Sequence, residues 1–286
     1  MRRLACGLAL LAAAGTAQAD EIRAVPAVGA KLTYRLVSTT KTPDKTFSAG
    51  SVHTYIVTKS DGKTAEGIIK PNAVILGCAE GKIDLGCKDA AASPGAHWDG
   101  NLLTVPIDGD SGNALAKESA FKLYRFLGVL RKFPFPSSRD PKAYDLYDFG
   151  PDPAFVTINT LDCGDLATLD ALLPFGSAPQ AALTCDMGFE RSASRNGKIP
   201  AQQTHAATAV EIDHTGSGWI TLPSGNWQVE KYAVKTTPKD AGQQQTEGET
   251  LVSPQLGVAV RSHLVASIPA AERTVENTIE LVSVSP

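Results

Sequence analysis

The chain has 286 residues, of which 43% are apolar and 20% are charged. This length allows a large buried core, and the composition is that of a globular protein rather than a disordered one. The 27 basic and 30 acidic side chains give a net charge of −3, which argues against nucleic acid or an anionic membrane surface as the main partner.

The first nineteen residues have the pattern of a cleavable export signal. Arg2 and Arg3 precede an apolar run from Leu4 to Ala14, and Ala17-Gln18-Ala19 supplies the small residues of a cleavage site. That run is shorter than the roughly 20 apolar residues that a membrane helix needs, and no later segment approaches this length. We therefore expect residues 20–286 to be one β-rich domain in the periplasm without a transmembrane segment. Without Arg2 and Arg3, 25 basic side chains face 30 acidic ones, a net charge of −5.

Four cysteines remain after this leader: Cys78, Cys87, Cys163 and Cys185. An even number of cysteines in an exported chain predicts two disulfide bonds. Three pairings are possible. We favour Cys78 with Cys87 and Cys163 with Cys185, because each bond then closes a loop flanked by strand-like sequence. Close pairs such as CxxC, which zinc sites need, are missing, so we expect no metal and no cofactor.

The first part of the mature chain predicts antiparallel strands. Residues 30–39 alternate in polarity, with Leu32, Tyr34 and Leu36 on one face. Two further strands, 52–60 and 64–76, flank an Asp-Gly turn and indicate a hairpin. A loop held by the first disulfide follows, and then a short strand at 102–107.

The middle of the chain predicts helices. Apolar side chains recur at helical spacing from residue 113 to 132, namely Ala116, Ala120, Leu123, Leu127 and Leu130. A loop rich in proline, aspartate and aromatic residues follows, then a strand at 154–160 and a short helix at 165–173.

The remaining sequence is mostly strand, at 182–192, 204–213, 218–222, 226–237, 249–253, 258–266 and 275–284. In the strand 226–237 the apolar positions change parity at Glu230-Lys231, which predicts a β-bulge. The expected fold is mainly β, a curved antiparallel half-barrel with the long helix at 113–132 against its concave face and a short second helix.

Two C-terminal segments carry a resemblance to known proteins. They are Leu222-Pro223-Ser224-Gly225-Asn226-Trp227-Gln228-Val229-Glu230 and Thr250–Val260, which contains Ser253-Pro254-Gln255-Leu256-Gly257. Both are similar to strands of uncharacterised bacterial periplasmic proteins that form an incomplete barrel like that of the lipoprotein carriers LolA and LolB. The resemblance covers the C-terminal strands and implies an incomplete barrel with a concave face.

Alternate residues of such a barrel would line the concave face. We place there Tyr34, Leu36, Tyr55, Trp219, Trp227 and Val229 from strands, with Phe126 and Leu127 from the long helix. If the helix can move, this face is a pocket for an acyl chain or an unfolded apolar segment. If it cannot, the same residues form a sealed core, and residue types alone do not separate these cases.

No catalytic residues are expected from the sequence. Gly109-Asp110-Ser111-Gly112 matches the surroundings of a serine-protease nucleophile, but the nearest upstream histidine, His97, is only fourteen residues away and the segment leads into the predicted helix. The five histidines are scattered singly.

The sequence therefore favours a non-enzymatic periplasmic protein that binds an apolar small molecule, a lipid or another envelope component. The alternative is a closed-core interaction or scaffold protein whose partner is another envelope protein. That protein would act through surface loops, above all the acidic and aromatic loop at 140–152.

Overall fold

The computed structural model describes residues 26–61, 64–78, 85–107, 119–124, 157–162, 180–191, 202–239 and 244–286. These residues form a 13-stranded sheet, in which all pairings are antiparallel, a seven-residue helix α1 (Leu85–Ala91) and a 3-10 turn at Pro269–Ala271. Within these ranges, no helix has the length and apolar character needed to cross a membrane.

The strands are numbered in chain order. Their bounds are β1 Lys31–Lys41, β2 Thr46–Ser60, β3 Thr64–Gly77, β4 His97–Asp99, β5 Leu102–Pro106, β6 Ser119–Tyr124, β7 Thr157–Asp162, β8 Gln180–Arg191, β9 Gln202–Leu222, β10 Gly225–Pro238, β11 Gln245–Ser253, β12 Val258–Ile268 and β13 Arg273–Ser285.

The sheet consists of two meanders joined by one long-range pairing. Across the sheet the order is β4-β5-β3-β2-β1-β13-β12-β11-β10-β9-β8-β7, and β6 pairs separately with β3. Sequence neighbours pair from β1 to β3 and again from β7 to β13. The two series meet where β1 pairs with β13, from Lys31 opposite Ser285 to Lys41 opposite Thr274.

The predicted long helix at 113–132 is wrong. Ser119–Tyr124 is strand β6, which pairs with Thr64–Ile69 of β3. Apolar spacing over 113–132 predicts a helix, but the part of the β3 edge that β5 leaves unpaired supplies backbone partners for residues 119–124, and this pairing favours a strand. The predicted half-barrel built around that helix is therefore replaced by the β-sheet described above. The second predicted helix, at 165–173, lies outside the described residues.

The predicted disulfide between Cys78 and Cys87 is confirmed. It connects the end of β3 to α1, and both cysteines are buried against Leu103 of β5. The Cys78 backbone N–H also donates to the Asn101 carbonyl at 2.9 Å, so the segment is fixed at the same place by two kinds of bond. Cys163 lies outside the described residues, and its pairing with Cys185 stays a prediction.

An interior proline is accommodated in β3 by a bulge. Pro71 has no N–H to donate, and the pairing of β2 with β3 shifts between Val52 and His53, which leaves Asn72 as the extra residue. The Asn72 carbonyl instead accepts a hydrogen bond from the Ile107 N–H at 2.8 Å. The chain thus keeps a long strand despite the missing donor.

An ion pair shows how sharply the sheet curls towards β4. Arg35 of β1 and Asp99 of β4 are four strand positions apart in the sheet order, which corresponds to about 19 Å in a flat sheet. Their side chains nevertheless meet, with Arg35 Nη2 at 2.8 Å from Asp99 Oδ2. This part of the sheet therefore bends back towards β1.

Gly50 of β2 lies where two strands approach too closely for a side chain. A β-carbon at Gly50 would overlap the Leu36 carbonyl oxygen of β1. Gly50→Ala should therefore lower the free energy of unfolding by about 1–3 kcal/mol in urea denaturation, the range typical of overpacking. The matched control is Gly218→Ala, whose added carbon would meet the Lys231 side chain at an ordinary 3.5 Å. It should be neutral or slightly stabilising, and equal losses in both variants would contradict the steric explanation.

Candidate functional site

Strands β12 and β13 separate at one end of the sheet. Their pairing runs from Ile268 opposite Arg273 to Arg261 opposite Glu280. Beyond that point, residues 281 and 283–285 of β13 stay paired with β1, whereas residues 258–259 of β12 stay paired with β11. We call the opening between these two diverging segments the fork.

Residues on both sides of the fork, such as Val258 of β12 and Leu281 of β13, belong to one apolar cluster, which we call the fork cluster. Its buried members come from both meanders and are Leu32, Tyr34, Tyr55, Val57, Ala65, Ile69, Leu222, Val229, Leu251, Val258, Val260, Ile279 and Leu281. Partly buried residues pack around it, namely Ala30, Leu36, Ile220, Trp227, Leu256 and Val284. Burial of this much apolar surface is the main stabilisation available at a place where the ladder of backbone hydrogen bonds has opened.

Tyr34 bridges the fork from β1 to β12. Its hydroxyl donates a buried hydrogen bond of 2.8 Å to the Ala259 carbonyl, and its ring packs edge-to-face on Tyr55 with 5.5 Å between ring centroids. Burial raises the pKa of Tyr34 above its usual range, so the phenol keeps the proton that it donates. A side chain thus satisfies a strand carbonyl beyond the end of the β12–β13 ladder.

Ser224 forms a second bridge, from the β9–β10 turn to β13. The Ser224 hydroxyl donates to the Leu281 carbonyl at 2.8 Å and accepts a 2.9 Å hydrogen bond from Trp227 Nε1. The turn itself is Pro223-Ser224-Gly225, the segment singled out in the sequence. Proline at the second position and glycine at the fourth are typical of a type I turn.

The inner face of the β9–β10 hairpin covers the cluster. Trp227 pairs with Ile220, and Val229 lies two residues further along the same face. Both Ile220 and Trp227 pack on the cluster, and Val229 is fully buried within it. Trp219 projects from the other face of the hairpin and is 72% exposed.

Five of the eight residues predicted for the apolar face meet at the fork. Tyr34, Tyr55 and Val229 are buried members of the cluster, whereas Leu36 and Trp227 pack at its margin. Trp219 is separate from them, on the exposed face of the hairpin. Phe126 and Leu127 lie outside the described residues.

A buried polar pair lies at the base of the same hairpin. His214 Nε2 and Glu230 Oε2 are 2.6 Å apart, and their side chains are 4% and 0% exposed. The β9–β10 register shifts between Lys231 and Tyr232, beside the predicted bulge at Glu230-Lys231, but the extra residue is Thr215 of β9 and not a residue of β10. Sequence reasoning missed the pair because sixteen residues separate its members and only the register brings them together.

Tyr232 completes this polar group. It is the cross-strand partner of His214, and their rings make an edge contact with 5.4 Å between centroids. Burial, and then the negative charge of Glu230, raise the pKa of Tyr232 above its usual range, so its hydroxyl stays protonated. Among the residues described, no group of three or more His, Cys, Asp or Glu side chains could hold a metal ion.

Comparison with known proteins gives remote similarities. No protein-family model and no curated protein matches the sequence. Similar solved structures include an exported protein with a YmcC-like fold from Bacteroides fragilis, with a TM-score of 0.38 and 9% identity over 94% of this chain and 100% of that chain. The hypothetical lipoprotein YmcC from Escherichia coli K12 has a TM-score of 0.34 and 8% identity over 91% of each chain. A lipoprotein from Parabacteroides distasonis has a TM-score of 0.31 and 8% identity over 93% of this chain and 99% of that chain. The likeness is thus to exported proteins and lipoproteins and not specifically to the LolA and LolB carriers. Because every TM-score is below 0.5, we draw no functional conclusion from these neighbours.

The buried pair should matter far more for stability than an exposed pair of the same chemistry. His214→Ala leaves the Glu230 carboxylate buried without its imidazole partner, and we expect a loss of about 3–5 kcal/mol in the free energy of unfolding. His263 and Glu276 provide the control, because His263 Nε2 and Glu276 Oε1 lie 2.9 Å apart with side chains 45% and 37% exposed. His263→Ala should cost less than about 1 kcal/mol. Similar losses in the two variants would contradict the assignment of a structural role to the buried pair.

His53 should make the fold sensitive to acid. It is the cross-strand partner of Tyr34, beside the fork cluster, and burial lowers the pKa of His53 to about 4. Because the unfolded chain takes up this proton near pH 6.5, the stabilisation is complete above pH 6.5 and is lost as the pH falls towards 4. The loss amounts to at most about 3 kcal/mol.

Urea denaturation at pH 7, 5.5 and 4 tests this expectation. His53→Gln should flatten the fall in unfolding free energy, whereas His97→Gln, at an exposed position on β4, should leave it as in the unmodified protein. An unchanged pH profile in the His53 variant would contradict the prediction.

Proposed function

We propose that this chain is an exported cell-envelope protein that binds an apolar chain, without catalysis, at the fork cluster. The observation that carries the proposal is the convergence of Tyr34, Leu36, Tyr55, Trp227 and Val229 on a place where two strands diverge. In a continuous sheet, backbone hydrogen bonds hold neighbouring strands together. At the fork, the β9–β10 hairpin and the side-chain hydrogen bonds of Tyr34 and Ser224 cover the apolar cluster instead. Contacts with a ligand can replace these interactions.

Export is supported by two independent features. The leader pattern in the first nineteen residues predicts secretion, and the bond between Cys78 and Cys87 is of a kind that persists in oxidising compartments such as the periplasm. The mature chain is acidic, which disfavours recruitment by the charge of an anionic membrane surface. A lipid ligand would therefore be recognised by its apolar part.

The chemistry of the fork cluster favours an aliphatic chain. Its buried members are aliphatic residues and two tyrosines, and none of them is charged. The Tyr34 hydroxyl is already used by the Ala259 carbonyl, so this group does not demand a polar ligand atom. Recognition would then depend on buried apolar area and on shape, which suits an acyl chain.

A closed-core interaction protein is the second candidate. It is favoured by the tight burial of Tyr34, Tyr55 and Val229, which are 5%, 4% and 0% exposed, and by the exposed Trp219 on the outer face of the hairpin. Large aromatic residues are enriched at the centres of protein interfaces. The loop at 140–152, predicted to contact such a partner, lies outside the described residues.

Uptake of an apolar fluorophore separates the two candidates. Mature protein freed of lipid by organic extraction and refolding is titrated with N-phenyl-1-naphthylamine, and we expect saturable fluorescence enhancement that a fatty acid reverses. Leu36→Trp adds bulk at the margin of the cluster and should weaken uptake at least tenfold, an effect of about 1.4 kcal/mol. Trp219→Ala is the matched control, because this residue lies on the opposite face of the hairpin, and it should bind as the unmodified protein does.

Absence of saturable binding in the folded protein would contradict the ligand proposal and favour the closed-core candidate. Equal uptake by Leu36→Trp and the unmodified protein would show that the dye binds elsewhere. Circular dichroism of each variant confirms that the sheet is intact.

A further inference from the structure

We propose that the tip of the β9–β10 hairpin, residues 216–229, is a lid over the fork cluster and that Ser224 is its latch. Ligand entry through this lid rests on the proposed function, whereas the opening movement does not require a ligand. The argument depends on three features: how the tip is attached, where it can bend and what holds it closed.

In the described part of the chain, the tip extends beyond the strands that flank the rest of the hairpin. Pairing of β8 with β9 reaches Asp213, and pairing of β10 with β11 begins at Glu230. From there to the turn, β9 and β10 pair with each other, with Trp227 opposite Ile220 and Gly225 opposite Leu222. Among the residues that the structure describes, the tip is therefore a two-stranded ribbon, whose own ladder can remain intact while its inner face leaves the cluster.

The base of this ribbon combines a bend with an anchor. The register shift beside Lys231 leaves Thr215 without a cross-strand partner, although its hydroxyl donates to the Lys231 carbonyl at 3.3 Å, and the next residue, Gly216, has a φ of 142°. A bulge leaves one residue outside the β9–β10 ladder, and glycine adopts a wide range of backbone angles. The hairpin can therefore bend at Thr215-Gly216 while the ladder on either side stays paired. The buried contact between His214 and Glu230 lies at the base and fixes the part of the hairpin that stays in the sheet.

The latch is a pair of hydrogen bonds that share one hydroxyl group. Ser224 Oγ donates to the Leu281 carbonyl of β13 and accepts from Trp227 Nε1. Loss of this hydroxyl removes both bonds at once, while the turn and the apolar inner face remain. Because the inner face carries Ile220, Leu222, Trp227 and Val229, the open lid exposes apolar surface and is rare without a ligand. An apolar chain that replaces these contacts favours the open state by its differential affinity.

Thiol labelling measures opening of the lid directly. Val229→Cys places a thiol on the inner face of the ribbon, and Val210→Cys places one on β9 within the three-stranded part of the sheet; both positions are 0% exposed. Each is labelled under native conditions with a soluble maleimide, and peptide mass spectrometry separates the new thiol from the native cysteines. Ser224→Ala should accelerate labelling at position 229 by about 5- to 30-fold and leave position 210 unchanged.

Two further variants test the latch itself. Trp227→Phe keeps an aromatic ring but removes the indole N–H that donates to Ser224. It should therefore accelerate labelling at position 229 less than Ser224→Ala does. Thr221→Ala, which removes an exposed hydrogen bond to Asn226 within the same ribbon, should have no effect on labelling at position 229. Equal acceleration at positions 229 and 210 would mean global destabilisation and would overturn the lid, as would an unchanged rate at position 229 in Ser224→Ala.

Dye uptake then distinguishes the lid from the proposed function. If the lid controls entry, Ser224→Ala should take up N-phenyl-1-naphthylamine faster by a factor similar to that seen in labelling. Selective labelling at position 229 without any dye uptake would support the lid and contradict apolar ligand binding. Equally fast dye uptake by Ser224→Ala and by the unmodified protein would contradict entry through the lid.

Discussion

The pairing of β1 with β13 is the constraint on which the rest of this structure depends. Every other principal neighbour in the two meanders is close in sequence, whereas this ladder joins Lys31–Lys41 to the last strand of the chain. It places the first meander beside the second, and the fork cluster accordingly contains Leu32 and Tyr55 together with Val229 and Val260. Closing so long a chain is entropically costly, and the apolar contacts made after closure offset that cost. The cluster is thus both the consequence of the pairing and the main reason for its stability.

Register shifts explain why the sheet opens beside this pairing. Between Thr33 and Tyr34 the β1–β13 register shifts and leaves Val282 as the extra residue, and between Leu251 and Val252 the β11–β12 register shifts and leaves Val260 extra. Bulges twist and bend their strands, and two of them on either side of the β12–β13 pair turn these strands apart. Val260, which has no cross-strand partner on β11 or β13, is fully buried in the fork cluster. The two register shifts therefore account for the fork between β12 and β13. The Tyr34 hydroxyl supplies a hydrogen bond to a β12 carbonyl that has no partner on β13.

What the sequence predicts well is local. The Cys78–Cys87 bond follows from a short spacing, and the parity change at Glu230-Lys231 marks the place of a register shift, although the extra residue lies on β9. The helix predicted at 113–132 rests on apolar spacing over twenty residues, but residues 119–124 pair as a strand with a stretch of β3 that is distant in sequence, and such a pairing is not visible in local spacing. The His214–Glu230 contact and the fork need the exact register of several strands. Alternating polarity shows which residues share a face of one strand, but it does not state which residues face each other.

The hairpin at the fork combines two kinds of attachment, and their difference favours a functional role for its tip. At the base, a carboxylate and an imidazole are buried together, an arrangement that is costly to separate because either group alone would be left desolvated. At the tip, the attachments are hydrogen bonds through Ser224, which water can replace at small cost, and apolar contacts, which an apolar ligand can replace. Among the described residues, no strand flanks the tip of this hairpin on either side. Its firm base and replaceable tip contacts are what a movable cover over an apolar site requires.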